Sequence, residues 1–277
     1  MTTALTHSNA SVTHADSQSG LLREFLHYRE LFYFLAWRDV KVRYKQTAIG
    51  VVWAVLQPLL TMIVFVLLFG KLADIPTDGV PRPLFYLAAL LPWTYVSSTV
   101  NAAGMSLVSN SQLLTKIYFP RLILPTSAAL SGLLDFFIGT VMMVALMVWY
   151  QVPVTWALLL WPVLVVLQTL LALAVGIYLA ALNVKYRDVK YALPFAIQLW
   201  LFATPIIYPT SIVPERFQWL IALNPLTGVI DAFRYCLLPG TQLRWDVLGI
   251  SAATTVVLLI VAVAYFRRTE NAFADII

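Results

Sequence analysis

Six long runs of apolar residues alternate along the chain with shorter segments that carry most of its charge. A helix needs about 20 apolar residues to cross the hydrocarbon core of a bilayer. We therefore predict six membrane spans at residues 49–69, 84–108, 124–150, 156–182, 192–208 and 248–266. The predicted fold class is an all-α polytopic membrane protein, whose function is carried out in or across a bilayer.

Composition and charge agree with this class. Hydrophobic residues make up 61% of the chain and charged residues 11%, whereas a soluble domain carries about 25% charged residues. With the N-terminus in the cytoplasm, 13 of the 18 lysine and arginine residues lie inside, as the positive-inside rule requires, and six spans return the C-terminus to the cytoplasm. The net charge of +5 is thus a topology signal to which anionic lipids contribute, and it requires no nucleic-acid partner.

Two different segments precede the first span. Residues 1–20 are rich in Ser, Thr, Ala and His, which predicts a disordered cytoplasmic tail. Residues 21–46 have apolar side chains near helical spacing, with basic side chains on one face and aromatic ones on the adjacent face. This pattern predicts an amphipathic helix in the membrane interface, followed by a transmembrane domain over residues 47–277. The basic face is either a topology anchor only or also docks a partner or gates a path.

The cytoplasmic loop after the second span predicts a short helix. It would begin at a Ser109 or Asn110 cap and end before Pro120. Apolar side chains share one face and basic ones flank it: Leu113, Leu114, Ile117, Lys116 and Arg121. Such a helix suits docking into a groove on another protein, although a simple interfacial connector has the same pattern.

The outer segment between the fifth and sixth spans is long and only partly polar. Residues 214–223 and 225–238 each predict a short helix, opened by Pro and separated by Asn224-Pro225. Both are too short to cross a membrane. Re-entrant helices of this length need protein or a water-filled cavity beside them, which indicates an outer gate or vestibule. The alternative is an amphipathic lid on the surface.

Several kinds of chemistry are missing from the sequence. No phosphate-binding loop, zinc-protease motif or Cys/His cluster occurs, and Cys236 is the only cysteine. We therefore expect no catalytic residue, no metal site and no cofactor bound by this chain. Asp135 is the only acidic residue well inside a predicted span. It is a functional candidate by default, but a packing or hydrogen-bonding role is the alternative, since a proton-driven carrier needs several such groups.

Aromatic and amide side chains lie within or near the spans. Aromatic faces stack on sugar rings and amides satisfy hydroxyls, so such a lining suits a path for a polar polymer. The alternative is the interfacial belt of Trp and Tyr that membrane proteins share. In the fourth span, Ala172, Gly176 and Ala180 form a ladder of small residues suited to close helix packing.

Five segments, in order, resemble the membrane subunits of type-2 ABC exporters for polysaccharides. They begin with RDVKVRYKQTAIGVVWAVLQPLL and lie at residues 38–60, 90–98, 107–125, 183–209 and 224–234. The resemblance covers roughly residues 25–270. It is nearest to the branch that exports lipid-linked O-antigen, close to the capsule and teichoic-acid branches. Residues 1–20 have no counterpart.

This resemblance implies a function and a set of partners. The chain would be the channel-forming permease subunit of an ATP-driven exporter that moves lipid-linked polysaccharide out of the cytoplasm. It would form a homodimer in the bacterial inner membrane, with two copies of a separate ATPase subunit that binds ATP and Mg²⁺. The substrate would be a glycan linked to undecaprenyl pyrophosphate. Alternatives are a type-2 ABC exporter of a small lipid or drug, and a membrane enzyme or proton-coupled carrier that works without an ATPase.

The resemblance also assigns roles to residues of this sequence. It implies that the channel would lie between two copies of the chain. The coupling helix on the ATPase would use Ser109, Asn110, Gln112, Leu113, Leu114, Lys116, Ile117, Tyr118 and Arg121. The substrate entrance would use Arg38, Lys41, Arg43 and Lys45. The channel would be lined by Trp53, Gln57, Trp93, Tyr95 and Trp200. The outer gate would include Glu215, Trp219, Asp231 and Arg234.

Overall fold

A computed structural model of the chain describes residues 27–45, 51–116, 119–186 and 188–270. Every regular element in these ranges is helical, which agrees with the predicted all-α class. Predictions for the tail at 1–20, for 21–26 and for residue 46 concern residues outside these ranges. The α-helices are α1 (Arg29–Lys45), α2 (Val51–Phe65), α3 (Arg82–Ser109), α4 (Ser111–Lys116), α5 (Ile123–Trp149), α6 (Trp161–Lys185), α7 (Val189–Ala203), α8 (Glu215–Ala222), α9 (Pro225–Leu237) and α10 (Trp245–Glu270).

Four stretches of helix in the described ranges are long and apolar enough to cross a membrane. They are Val52–Leu72, in which α2 continues as a π-helical segment, Ile123–Trp149, Trp156–Lys185, which begins with a 3₁₀ turn, and Trp245–Glu270. The number rises to five if α8 and α9, which meet at a bend of 103°, count as one span. The chain is therefore a multi-pass helical membrane protein, and the count of six stays a prediction.

The fifth predicted span, residues 192–208, is longer than the helix found there. Helix α7 ends at Ala203, and Thr204 is extended, with φ −106° and ψ 139°. Pro205 explains this end, because a residue that precedes proline is pushed out of the helical region. Residues 204–208 instead form a largely buried connecting segment, so the predicted boundary was wrong by about one helical turn.

Helix α3 occupies the centre of the bundle. It packs mainly against α5 and α6, and its residues 84–93 are all buried. The small-residue ladder of α6, predicted to pack closely against some helix, packs against α3: a Cβ atom on Gly176 would lie 2.6 Å from Ala103 Cβ. Glycine at this position therefore permits a close approach of α3 and α6, and the surrounding core depends on it.

The two short helices predicted between the fifth and sixth spans, α8 and α9, lie within one residue of their predicted positions. Asn224 caps α9, its side-chain oxygen accepting a hydrogen bond from the Leu226 backbone N–H at 3.1 Å. Helix α9 then packs closely against α10, since a Cβ on Gly228 would lie 2.7 Å from the Val247 carbonyl oxygen. This contact brings the loop after α9 next to the start of α10.

At the opposite end of the bundle, a second apolar cluster joins five helices. Its buried members include Leu35 of α1, Leu107 of α3, Ile123 of α5, Ile177 of α6 and Phe266 of α10. Leu113 and Leu114 of α4 pack against this cluster. The cluster therefore positions α1 and the loop that contains α4 beside each other.

Candidate functional site

The exposed face of α1 carries an aromatic and basic ladder at helical spacing. The rings of Tyr33 and Trp37 stack with centroids 6.5 Å apart and an interplanar angle of 8°. Lys41 Nζ lies 5.5 Å from the Trp37 ring centroid, a cation–π contact. Tyr33 and Trp37 are 64% and 45% exposed, and Lys41 and Lys45 are exposed as well. This ladder is therefore open to lipid, substrate or another chain.

The four basic residues predicted at the substrate entrance divide into two pairs. Arg38 Nη2 donates to Asp39 Oδ1 at 2.9 Å and to Asn110 Oδ1 at 3.1 Å. Arg43 forms an ion pair with Asp135 of α5. Within the described residues, Lys41 and Lys45 have no ion pair. Hence the two lysines are available to a negatively charged ligand, whereas both arginines already have protein partners.

Asp135 has a second partner on α1. The Tyr44 hydroxyl donates a hydrogen bond to Asp135 Oδ1, and Arg43 reaches Oδ2. Burial, and then the hydrogen bond to this carboxylate, raise the pKa of Tyr44 above its ordinary value, so the phenol stays protonated and keeps donating. The predicted hydrogen-bonding role of Asp135 thus corresponds to a contact that ties α1 to α5.

The structure describes the predicted docking helix as far as Lys116. Ser109 is the last residue of α3, and α4 covers Ser111–Lys116. Between them, the Asn110 carbonyl oxygen accepts hydrogen bonds from the Leu113 and Leu114 backbone N–H groups at 2.9 and 3.2 Å. Ile117 and Tyr118 lie outside the described residues.

The apolar face of α4 is turned toward its own chain. Leu113 and Leu114 are half-buried against the second apolar cluster, whereas Gln112 and Lys116 are exposed. Arg121 lies beside the end of α10, where its backbone N–H is 3.4 Å from Glu270 Oε1 and its guanidinium donates to the Glu270 carbonyl. The surface that this loop offers to a partner is therefore polar at Gln112 and Lys116.

The five aromatic and amide residues predicted to line a channel separate by burial. Trp53 is 51% exposed on α2, and Gln57, one turn further along, is exposed as well. Trp93 and Tyr95 are 6% and 2% exposed, and the Tyr95 hydroxyl donates to Thr169 Oγ1 at 3.0 Å. These two side chains lie in the interior of the chain's own bundle, which does not favour a place for them in a channel between two copies.

Trp200 connects α7 with the outer helices. Its ring packs edge-to-face on Trp93 with centroids 5.8 Å apart. Its Nε1–H donates to Asn224 Oδ1 at 3.1 Å, and Asn224 Nδ2 donates to Thr204 Oγ1 at 2.8 Å. One amide side chain therefore links the end of α7 to the start of α9.

Arg234, which the sequence suggested for an outer gate, is buried in the protomer with its side chain 4% exposed. Its guanidinium donates to the carbonyl oxygens of Pro205 and Ile206, both at 2.9 Å. It also lies 3.7 Å from the centroid of the Phe85 ring. Arg234 thus holds the segment after α7 in place. The gate residues Glu215 and Trp219, on α8, are exposed.

Comparison with known proteins identifies the family. Residues 30–238 match the ABC-2 type transporter family. This chain belongs to the ABC-2 type transporter family. The ABC-2 chain is 34% identical over 258 residues to the O-antigen export system permease protein RfbA of Myxococcus xanthus, an alignment that covers 92% of this chain and 98% of that protein.

Two further relatives of this ABC-2 chain have related names. An O-antigen export system permease protein RfbA of Klebsiella pneumoniae is 29% identical over 244 residues, 87% of this chain and 92% of that protein. The polysialic acid transport protein KpsM of Escherichia coli is 23% identical over 248 residues, 85% and 92% of the two chains.

Sequence reasoning missed two contacts in this ABC-2 chain. The partner of Asp135 lies outside the predicted spans, 92 residues away in α1, so a search for charges within the spans could not find it. Beyond its i,i+3 neighbour Asp231, Arg234 donates to two backbone carbonyls and lies on a ring, and these contacts have no sequence signature. The proline at 205 was the one local signal that the chain leaves α7 there.

Proposed function

We propose that this chain is the permease subunit of an ABC exporter that moves lipid-linked polysaccharide of the O-antigen type out of the cytoplasm. The observation that carries the proposal is the alignment with the O-antigen export permease of Myxococcus xanthus, which covers nearly the full length of both chains. The separate ATPase subunit that such a permease requires would bind ATP and Mg²⁺. We expect a homodimer of this chain with two copies of that ATPase.

Six spans complete the proposed topology. Helix α3, with 28 residues, is long enough to cross a bilayer, and its lower apolar content suits the centre of a bundle, where few of its side chains meet lipid. Helix α7, with 15 residues, would be the fifth span in chain order, a short one beside α3. This arrangement leaves α8 and α9 on the outer side and puts the excess of basic residues inside, in accord with the positive-inside rule.

The entrance for a pyrophosphate-linked glycan would lie along α1. Lys41 and Lys45 are exposed and are not engaged in ion pairs among the described residues, so they are available for charge-assisted hydrogen bonds to phosphate oxygens. The stacked rings of Tyr33 and Trp37 would lie at the level of lipid head groups, where such amphipathic side chains are favoured.

Motion of the ATPase would reach α1 through Asn110. This residue precedes the first turn of α4, which would contact the ATPase through Gln112 and Lys116. Its side chain accepts the hydrogen bond from Arg38 at 3.1 Å. Arg121 gives a second connection, from the same loop to the end of α10. A displacement of α4 would therefore pull on both α1 and α10.

The channel would form between two copies of the chain. Helix α2 supports this arrangement, since it exposes Trp53 and Gln57 and little of it is buried within one protomer. The partly exposed Trp200 of α7 would lie further along the path. Helices α8 and α9 would frame its outer mouth, with Glu215 and Trp219 on the exposed side.

Reconstitution tests the proposed function. The chain would be purified together with its ATPase subunit, inserted into proteoliposomes, and supplied with undecaprenyl-pyrophosphate-linked polysaccharide. We expect glycan to become accessible to an external glycosidase only when ATP is present. ATP-driven movement of phospholipid or a small dye, with the glycan left behind, would favour the small-lipid or drug exporter, and transport without the ATPase would favour a coupled carrier.

Labelling tests the topology. In a Cys236→Ala background, single cysteines at Glu215 and Arg244 should react with a membrane-impermeant maleimide in intact cells. Cysteines at Gln112 and Lys190 should react only after the membrane is opened. Labelling of both groups from the same side would reject the six-span arrangement.

A further inference from the structure

The outer end of the molecule contains a cavity of about 390 Å³ with several polar side chains in its lining. Its lining residues come from the turn before α3, from the first turn of α3, from the connection between α7 and α8, from α8 and α9, and from the loop between α9 and α10. Its polar lining includes Asp78, Thr210, Gln218, Asp231, Gln242 and Arg244. Its volume lies within the range of small-molecule sites, roughly 300–1,000 Å³.

Hydrogen bonds hold the polar groups of this cavity in position. Asp78 has φ 49° and precedes Gly79 with φ 78°, a tight turn that brings its carboxylate to Ser211 Oγ, which donates at 3.0 Å. Thr210 Oγ1 donates to Asp231 Oδ2 at 3.1 Å, and Arg244 Nη1 donates to Gln218 Oε1 at 3.0 Å. The lining is therefore arranged before any ligand arrives, which lowers the entropy cost of binding.

Several hydrogen-bonding atoms of the lining are still open to a ligand. Asp231 Oδ1 lies 4.0 Å from Arg234 Nη1, beyond hydrogen-bond distance, so this oxygen can accept a hydroxyl. The amide of Gln242 is exposed at the rim. The buried carboxylate Asp231, 11% exposed, would otherwise have only one hydrogen bond, from Thr210, among the described residues.

The charges in the lining balance. Two carboxylates, Asp78 and Asp231, face two guanidinium groups, Arg234 and Arg244. The two carboxylates would repel an anion, and the two guanidinium groups would repel a cation. A neutral polyol can instead donate hydrogen bonds to the carboxylates and accept them from Arg244 and the amides. We propose that this cavity binds one or two uncharged sugar units at the outer face. The choice of a sugar rests on the proposed function.

Such a site would retain emerging glycan on the outer side. A sugar residue that has left the channel would bind between α8, α9 and the loop before α3. Each binding event would oppose backward movement of the chain during the ATPase cycle. The proposal concerns a subsite of this permease only, and it requires no covalent chemistry.

Ligand-observed NMR on the permease–ATPase complex in nanodiscs tests the site. Methyl α-D-glucopyranoside serves as the neutral probe, methyl glucuronide as the anionic probe and inorganic sulfate as the simple anion. We expect saturation transfer from the protein to the neutral probe, with a dissociation constant in the millimolar range, and no competition by sulfate. Gln218→Leu removes a preorganised hydrogen-bonding amide, and Asp231→Asn replaces a charged acceptor by a weaker, neutral one, so each should weaken binding up to about tenfold.

Arg216→Gln is the matched control, since it removes a charge from exposed α8 outside the cavity, and it should bind the probe as the unaltered chain does. Thermal unfolding identifies any variant that fails to fold. The inference is overturned if the neutral probe does not saturate, if both cavity variants bind normally, or if the anionic probes bind more tightly. Glycan export is measured separately, with the same purified complex in proteoliposomes. Export without probe binding refutes the sugar site alone. Probe binding without export refutes the proposed function alone.

Discussion

Arg43 of α1 forms an ion pair with Asp135 of α5 across 92 residues of sequence. Asp135 lies twelve residues into α5, about 18 Å along the helix axis, so the pair attaches the segment before the first span to the body of the bundle. The carboxylate also accepts the Tyr44 hydroxyl. Helix α1 is therefore held on the bundle by specific side-chain contacts.

Neutralising either partner, with Arg43→Gln or Asp135→Asn, should lower the free energy of unfolding of the purified chain. The two side chains are 41% and 33% exposed, so we expect a coupling of about 1 kcal/mol in a double-mutant cycle. Unfolding in mixed detergent measures it. Lys45→Gln is the matched control, because it removes a charge from the same turn and Lys45 has no ion pair with any described residue. Strictly additive losses from the two variants would contradict the pair.

Reversing the free charges of α1 should reduce export. Lys41→Glu with Lys45→Glu turns attraction for a pyrophosphate into repulsion, and each basic charge at a membrane surface contributes about 1 kcal/mol. We therefore expect glycan transport in proteoliposomes to fall about tenfold or more. Lys41→Arg with Lys45→Arg should retain transport. Unchanged transport in the double Glu variant, with correct membrane orientation, would leave both lysines as topology signals only.

Changing the exposed residues of α4 should weaken the ATPase complex. Gln112→Glu with Lys116→Glu adds negative charge to the surface proposed for docking, and we expect the dissociation constant to rise about tenfold. Gln112→Asn with Lys116→Arg is the conservative control. Leu113→Asp should instead destabilise the permease itself, because Leu113 packs on the second apolar cluster. Normal ATPase binding by the charge variant, measured by co-purification, would place the contact elsewhere.

A methyl group at Gly176 should destabilise the core, whereas one at Gly249 should not. The new Cβ of Gly176→Ala would lie 2.6 Å from Ala103 Cβ, and such overpacking costs about 1–3 kcal/mol. A Cβ on Gly249, which lies within α10, has no atom within 4 Å, so Gly249→Ala should be neutral or stabilise by up to about 1 kcal/mol. The midpoint temperature of thermal unfolding, measured for both variants, checks this prediction. Equal shifts of that midpoint would refute the close approach of α3 and α6.

Replacing Arg234 should loosen the segment after α7. Arg234→Met leaves the Pro205 and Ile206 carbonyl oxygens without their donor, and each unsatisfied buried group costs about 1–3 kcal/mol. Arg234→Lys should not restore these contacts, since an ammonium group cannot reproduce the planar guanidinium that reaches both carbonyls and stacks on Phe85. Limited proteolysis should then cut within residues 204–209. Resistance equal to that of the unaltered chain would show that Arg234 is dispensable there.

The helical class and the positions of most helices followed from local patterns. Long apolar runs can satisfy their backbone hydrogen bonds in a membrane only as helices or closed barrels, and the runs predicted α2, α5, α6 and α10. Proline and Asn-Pro signals placed α8 and α9 within one residue. The ladder at Gly176 was also predictable, because small residues at a spacing of four indicate close packing without naming the partner helix.

The division of the site residues depended on packing. Four basic residues of α1 have the same charge in the sequence, yet Arg38 and Arg43 meet partners 72 and 92 residues away, whereas the two lysines form no ion pair in the part of the chain that the structure describes. Trp53 and Tyr95 look equally suited to a channel, yet one is exposed and the other is buried. Contacts between distant helices depend on how the helices cross, and a periodic pattern along one helix contains no information about that crossing. For this reason the sequence led to the family and the spans, and the folded bundle separated the residues that hold it together from those left free to act.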